Sequence, residues 1–415
     1  MQKSIFQYLV ITSTYWAFTV TDGALRMLVV LYFHKLGYSA LELASLFLFY
    51  EFFGVVTNLA GGWLGARIGL NRTMHLGVLL QVLALALLTV SSSWLSVSYV
   101  MMAQALSGIA KDLNKMSAKS SIKMLATGED GESKLFKWVA YLTGSKNALK
   151  GVGFFAGAGL LSWFGFRGAV IWMIGLLVFV FAVSAILLTE ELGKTPFKPK
   201  FRDLFSKSRS VNILSAARMF LFGSRDIWFV VALPVFFERT LNWSHIQVGS
   251  FMALWVIGYG VVQSQTPRMI SRSGHPPDGR SALLWAVVLA GIPAAIAFGL
   301  GADSTQLQPI LVGGLLLFGA VFAINSSVHS YLIIAYAKQD GVSLDVGFYY
   351  MANAMGRLVG TILSGWIFQM YDLMGCQIGS SLFLVLTVAI SVFLPGHKNR
   401  GSKAASGLGF STPGK

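Results

Sequence analysis

Twelve long apolar stretches divide this 415-residue chain, and they constrain its fold more than any other feature. About 20 apolar residues cross a bilayer as a helix, so each stretch is a candidate transmembrane span. Hydrophobic residues make up 55% of the chain and charged residues only 12%, against about 25% in a soluble domain. The chain is therefore predicted to be an all-α membrane protein. The spans are expected at 8–34, 41–65, 72–93, 95–124, 134–163, 167–188, 211–237, 244–266, 281–301, 308–336, 345–371 and 374–395.

Positive side chains lie mainly on one side of the predicted membrane. Of the 32 lysine and arginine residues, 20 fall in segments on the side of both chain termini, three on the opposite side and nine inside spans. Because positive loops stay in the cytoplasm, this bias predicts that both termini are cytoplasmic. The protein is expected in a bacterial inner membrane. The bias also accounts for most of the net charge of +15 without a nucleic-acid partner.

The two halves of the chain repeat one another at a shift of roughly 205 residues. Two parallel six-helix halves around a midplane site are typical of secondary transporters. The matches are Leu36–Ser39 with Leu241–Ser244, Asp22 with Asp226, and Asn147–Gly151 with Asn353–Arg357. The predicted domains are an N-terminal six-helix bundle (1–189), a cytoplasmic linker (190–210), a C-terminal six-helix bundle (211–395) and a disordered cytoplasmic tail (396–415).

The charges inside the predicted spans are mostly positive. A lysine or arginine at the centre of a spanning helix costs about 2.5–3.5 kcal/mol, so such a residue usually faces water or a ligand. The surplus over the acids is five, nine against four, which favours an anionic cargo. The positive residues are Arg26, Lys111, Lys115, Lys119, Lys146, Lys150, Arg218, Arg225 and Arg357, and the acids are Asp22, Glu51, Asp112 and Asp226.

Two lysine series have helical spacing. Lys111, Lys115 and Lys119 recur every four residues and form one stripe on span four, and Lys146 and Lys150 repeat this on span five. Ammonium groups facing the bundle interior can bind phosphate or carboxylate by charge-assisted hydrogen bonds. Asn114 and Asn147 lie beside the stripes and are expected to add neutral hydrogen bonds. The alternative for Lys119 is that its side chain extends to the cytoplasmic surface.

The remaining charged residues suggest further ligands and proton carriers. Arg26 and Arg225 are expected to bind the cargo beside acidic partners; the alternative for these two is local charge neutralisation that lets their helices insert. Arg357 is expected to face the same cavity. Arg218 is expected to be a surface anchor. The proton-coupling candidates are Asp22, Glu51, Asp112, Asp226 and His329. For Glu51, pairing with a cavity lysine is the alternative, and for His329 a structural role.

The segment Gly61–Arg72 between spans two and three resembles the signature loop of the major facilitator superfamily. The matching residues are Gly62, Arg67, Gly69 and Arg72. Ala66 occupies the place of the usual aspartate, which in the family helps hold the two halves together in the outward-facing state. The resemblance implies twelve helices in two pseudo-symmetric bundles that alternate in access.

Four further segments resemble the organoarsenical efflux permeases called ArsJ: Thr21–Met27, Tyr50–Asn58, Ser107–Lys119 and Thr143–Lys150. This resemblance implies export of 1-arseno-3-phosphoglycerate and arsenate resistance. It also implies a functional partnership with glyceraldehyde-3-phosphate dehydrogenase, which makes that compound. Two alternatives remain open, an organophosphate/phosphate antiporter and a membrane anion sensor that transports nothing.

No enzyme signature is found in the sequence. A phosphate-binding Walker loop is missing, and cysteine, histidine and acidic residues show no metal-ligand spacing. The chain is therefore expected not to be an enzyme and to need neither cofactor nor metal. It is expected to act as a monomer in contact with lipid and a small anionic substrate.

Overall fold

A computed structural model of the protein describes residues 2–36, 46, 48–126, 131–188, 192, 208–243, 245–270, 276–301, 307–338 and 341–396. Three sequence predictions concern other residues: the linker at 190–210, the tail at 396–415 and the match of Leu36–Ser39 with Leu241–Ser244. All three fall largely outside the described residues, so they stay predictions.

The described residues form eleven α-helices and one short 3₁₀ turn, Ser92–Trp94. The helices are α1 Gln2–Lys35, α2 Leu48–Ile68, α3 Leu70–Leu87, α4 Val97–Leu125, α5 Gly131–Leu187, α6 Arg209–Phe229, α7 Ala232–Arg239, α8 His245–Ile270, α9 Gly279–Gly301, α10 Leu307–Tyr336 and α11 Val342–Ser391.

Two of these helices are broken in the middle, and each supplies two spans. In α5 the break lies at Gly165, whose φ of 66° suits glycine because it has no Cβ. In α11 it lies at Asp372, where the carboxylate accepts a hydrogen bond from the Leu373 amide (2.6 Å) and starts the next helix. With α6 and α7 taken as one span, the described helices give twelve segments, which confirms the predicted fold class.

The halves pack by the same pattern, α1 on α5 in the first and α6 on α11 in the second. Glycines mark both crossings: Gly153 contacts Val20, and Gly356 contacts Met219 in the equivalent place. Val20 and Met219 are 199 residues apart, the same separation as Arg26 and Arg225. This register corrects the predicted match of Asp22 with Asp226, which are 204 residues apart and therefore five residues out of register.

The two ends of the bundle differ in how the halves meet. At one end, here called the closed end, buried residues of both halves form a single apolar cluster, which includes Ile11, Met116, Tyr331 and Val346. At the other, the open end, each half has its own cluster, with Leu28 in the first half and Trp228 in the second. The closed end holds the start of α1 and the ends of α4 and α10.

Close helix crossings hold the closed end together. Helix α2 crosses α11 where Gly62 meets Gly347, and α5 crosses α8 where Gly144 meets Gly260. A Cβ atom at Gly62 would lie 3.1 Å from the Gly347 Cα and would clash with the Ser343 carbonyl. Small residues let the backbones of neighbouring helices approach this closely.

The signature loop joins α2 to α3 at the same end. Gly69 has a φ of 99°, a conformation that favours glycine, and separates the two helices. The Arg67 guanidinium lies 5.0 Å from the ring of Trp63. Arg67 and Arg72 are both exposed at the surface, whereas Ala66, in place of the usual acid, is buried.

Candidate anion-binding cleft

The lysine stripe of α4 faces the contact between the halves. Lys111 and Lys115 have side chains about one-seventh exposed, at 15% and 14%. Asp112 lies between them, 3.7 Å from the Lys111 ammonium and 2.5 Å from that of Lys115. The Lys111 ammonium also lies 3.8 Å from the centre of the Tyr50 ring. A buried acid and an aromatic face therefore hold these two lysines.

Helix α5 carries the second lysine series, Lys146 and Lys150. Lys146 and Lys150 are partly buried, and the Lys146 ammonium donates a hydrogen bond to Asn147 (3.3 Å). The Asn147 amide in turn donates to Gln263 of α8, at 2.7 Å. Asn147 thus connects the first half to the second, next to Lys146.

Glu51 bridges the two halves. One of its oxygens, Oε1, lies 3.0 Å from the Arg26 guanidinium in its own half and 3.0 Å from that of Arg357 in the other. The side chains of Glu51 and Arg357 are 26% and 30% exposed, so water reaches this bridge. A single carboxylate oxygen shared by two arginines shows that the space between these guanidinium groups accepts a negatively charged group.

Asp226 forms the equivalent centre in the second half. Its carboxylate is fully buried and lies 2.5 Å from Arg225 and 3.2 Å from Arg357. Arg357 therefore bridges Glu51 and Asp226, and connects the two acidic centres across the cleft. A fork-shaped guanidinium can bind two acceptors in fixed geometry, which an ammonium cannot.

Asp22 pairs differently. Its carboxylate accepts a hydrogen bond from the Tyr50 hydroxyl at 2.6 Å. The Tyr50 ring also lies 4.0 Å from the Arg26 guanidinium, so Tyr50 links an acid to two cations, Arg26 and Lys111. Cation–π contacts contribute about 0.5–1 kcal/mol at exposed sites and about 2 kcal/mol or more when water is excluded.

Some of the cations lack an acidic partner. Among the described residues, no ion pair involves Lys119, Lys146, Lys150 or Arg218. Lys146 and Lys150 are partly buried on α5, whereas Lys119 and Arg218 are each only 3% exposed. No group of three or more histidine, cysteine or acidic side chains in the described ranges could hold a metal ion. The arrangement therefore favours anions, by charge and by hydrogen bonding.

Several predicted residues lie elsewhere. Asn114 points toward α3, where its amide packs against Gly77, and it is not part of the cleft. His329 is buried within the second half. The prediction that Arg218 is a surface anchor is wrong, because this residue is 3% exposed. Lys119 is also 3% exposed and donates to the Tyr350 hydroxyl, so it does not extend to the surface.

Tyr50, Gln263 and Tyr350 contact the charged residues but were not predicted from the sequence. Tyr50 directly precedes Glu51, and that adjacency was a usable signal. Tyr350 and Gln263 carry no such signal, because an aromatic or amide residue in an apolar helix usually packs in the core.

Known proteins share this architecture. The family model of the Major Facilitator Superfamily matches residues 9–231 and 214–412. A search of the curated proteins gave no match. Among solved structures, the chain is similar to the human organic anion transporter TETRAN, with 16% identity, a TM-score of 0.67, and coverage of 94% of this chain and 98% of that one.

Two further structures are similar in fold. A bacterial homologue of the iron transporter ferroportin in an outward-facing state has 14% identity and a TM-score of 0.72, over 94% of this chain and 99% of that one. The proton:xylose symporter XylE, bound to 6-bromo-6-deoxy-D-glucose, has 12% identity and a TM-score of 0.74, over 94% and 95%. Likeness at these identities shows the fold alone, whereas the family model covers nearly the whole sequence. The chain belongs to the major facilitator superfamily, and it is an integral membrane transporter of a small substrate rather than an enzyme.

Proposed function

We propose that this transporter is a secondary active exporter of a small organic anion, with 1-arseno-3-phosphoglycerate as the specific cargo. The observation that carries the proposal is the convergence of cations from both halves on one water-accessible cleft. They are Arg26, Lys111, Lys115, Lys146, Lys150, Arg225 and Arg357. Charge-assisted hydrogen bonds from such groups are short and about twice as strong as neutral ones.

The charge balance of the cleft supports an anionic cargo. Glu51, Asp112 and Asp226 each contact two of the cations, whereas Lys146 and Lys150 have no ion pair among the described residues. A phosphate ester carries about −1.5 to −2 charges at pH 7 and would neutralise both of these lysines. A cationic cargo would meet repulsion at the same positions.

The positive-inside bias supports cytoplasmic termini, which would make the closed end cytoplasmic. On this orientation the structure is outward-facing, with its cleft open to the exterior. Export would then proceed by rocking of the two halves about the cleft, with opening at the crossings of Gly62 with Gly347 and of Gly144 with Gly260.

The arsenic compound is favoured by the resemblance of four segments to organoarsenical efflux permeases. On this proposal, glyceraldehyde-3-phosphate dehydrogenase would supply the cargo, and export would give arsenate resistance. A second candidate is exchange of an organophosphate for inorganic phosphate. The lysines without ion pairs favour it, since they would hold phosphate on the return step.

Transport into everted vesicles tests the proposal. The arsenic compound is made in place by glyceraldehyde-3-phosphate dehydrogenase from glyceraldehyde 3-phosphate, arsenate and NAD+, and its uptake is compared with that of 3-phosphoglycerate. We expect Lys111→Ala and Lys146→Ala to abolish uptake and arsenate protection while membrane insertion is unchanged. The matched control is Lys137→Ala, which removes an exposed lysine from the same helix as Lys146.

The outcomes separate the candidates. Uptake of the arsenic compound without a counter-anion supports the export proposal. Uptake of organophosphate that requires phosphate inside the vesicle supports the exchanger instead. Wild-type uptake by both cleft variants would refute the binding-site assignment, and no uptake of any anion by the wild type would refute the proposed function.

A further inference from the structure

Two buried cations lie between the cleft and the closed end, one from each half. Lys119 of α4 and Arg218 of α6 are each 3% exposed, and neither forms an ion pair in the described part of the chain. An isolated charge in the interior is costly, and such charges are normally paired. Their position inside a transporter, along the line from the cleft to the closed end, suggests that they serve a ligand.

Only neutral groups bind these two cations. The Lys119 ammonium donates to the Tyr350 hydroxyl at 2.5 Å and lies 4.8 Å from the centre of the same ring. The Arg218 Nε donates to the Asn353 side chain at 2.9 Å, and its Nη1 donates to the Ser326 hydroxyl at 3.1 Å. These bonds orient both groups but leave their charges uncompensated.

An additional polar side chain beside Arg218 is also unsatisfied. Neither ring nitrogen of His329 has a hydrogen-bond partner among the described residues, although the residue is fully buried. His329 follows Ser326 by three residues on α10, so both lie on one helix face. Buried polar groups are normally hydrogen-bonded, and this one has unused capacity next to the Arg218 contact.

Hydrogen bonds connect this deeper region to the cleft. The route begins at a cavity lysine of the first half and ends at Arg218 in the second, through side chains of α5, α8, α10 and α6. It consists of Lys146 to Asn147 (3.3 Å), Asn147 to Gln263 (2.7 Å), Gln263 to Ser326 (3.3 Å) and Arg218 to Ser326 (3.1 Å).

We propose that Lys119 and Arg218 form an inner anion subsite, which receives a phosphate or carboxylate group of the cargo when the closed end opens. The proposal rests on the proposed function, because it takes the cargo to be an anion. In the outward-facing state the contacting halves cover the subsite. When the halves part at the closed end, both cations are exposed and make the first contact with cargo arriving from that side.

A sidedness experiment tests the subsite. Exchange of labelled 3-phosphoglycerate is measured in everted and right-side-out vesicles for Lys119→Gln and Arg218→Gln. We expect the half-saturating concentration to rise about tenfold for loading from the closed-end side, as loss of one charge-assisted hydrogen bond predicts. Loading from the cleft side should stay within about twofold, because the subsite is covered when the cleft is open.

Further variants separate binding from folding. Arg218→Lys and Lys119→Arg keep the charge and should restore most of the closed-end affinity. Lys137→Gln, an exposed lysine of α5, should change neither side. A misfolded variant would instead lower the maximal rate from both sides equally.

The results distinguish failure of the inner subsite from failure of the proposed anion exporter. Equal changes on both sides, or no change on either, would overturn the inner subsite while leaving the anion exporter intact. If wild-type vesicles transport neither 3-phosphoglycerate, phosphate nor the arsenic compound from either side, the proposed function itself fails; if only the arsenic compound is transported, the same sidedness comparison is made with it. The inner subsite is also overturned if the charge-retaining variants behave like the glutamine variants while membrane levels are normal, since charge would then not matter at Lys119 and Arg218.

Discussion

The closed end and the open end of the bundle use different kinds of contact. At the closed end the halves share an apolar cluster and cross at glycine pairs, with little room for water. Toward the open end the contacts between the halves are ion pairs with partly exposed side chains, such as Glu51 with Arg357. Apolar contacts hold a closed interface firmly, whereas partly exposed ion pairs are weak and exchange easily. The difference fits a transporter that must open one end and release an anion at the other.

Gly62→Val should weaken the closed end more than any other change, because it places a side chain against α11. Overpacking costs about 1–3 kcal/mol, which would shift the equilibrium away from closure by about 5- to 150-fold. The measurement is labelling of a cysteine introduced at Thr143, which is buried at this end, with a membrane-impermeant maleimide. The native Cys376 is buried and should contribute little labelling.

Gly175→Val is the matched control, since nothing lies within 4 Å of a Cβ atom at that glycine. It should leave labelling and transport near wild type. Equal labelling in both valine variants would mean that the Gly62–Gly347 crossing does not hold the closed end.

Lys123→Ala should have an intermediate effect. The Lys123 ammonium donates to the carbonyls of Ile334 (2.7 Å) and Ala337 at the end of α10, in the other half. These carbonyls have no helical partner, and a cation there also compensates the helix dipole. Loss of these bonds should weaken closure by about 1–2 kcal/mol, or roughly 5- to 30-fold.

The same maleimide assay measures this change. The control is Lys134→Ala, whose ammonium lies 4.7 Å from the Trp138 ring within its own half. Unchanged labelling in Lys123→Ala would show that these hydrogen bonds do not contribute to closure of this end.

Glu51→Gln should have the smallest effect. It should strengthen anion binding in the cleft, whereas the two changes above weaken the closed end. Partly exposed ion pairs contribute only about 0.2–1 kcal/mol, so removing the carboxylate should take one acidic partner from Arg26 and from Arg357 at little cost. We expect 3-phosphoglycerate to bind roughly two- to fivefold more tightly, as measured by equilibrium binding to the purified protein. Weaker binding would indicate that Glu51 positions the arginines rather than competing with the cargo. Asp345→Asn, which removes an acid at the closed end and outside the cleft, serves as the control.

Much of the fold could be read from the sequence because lipid imposes a simple rule. A span must be apolar and helical, so its position follows from length and composition, and even the breaks at Gly165 and Asp372 fall between predicted spans. The lysine stripe was equally readable, since a spacing of four fixes one helix face. The roles of Arg218 and Asn114 were not readable, because a position along a helix does not say which neighbour the side chain meets.

The sequence by itself determined that this chain crosses the membrane many times, in two related halves, with more positive than negative charge between its spans. Tertiary structure alone decided which charges pair. Glu51 meets Arg357 from 306 positions away, and Lys119 meets a tyrosine of the other half. The physical reason is that the free-energy cost of a charge in the membrane depends on its own position in a span, which the sequence gives. The group that offsets this cost comes from a different helix. Only packing of the two halves brings those groups within hydrogen-bonding distance.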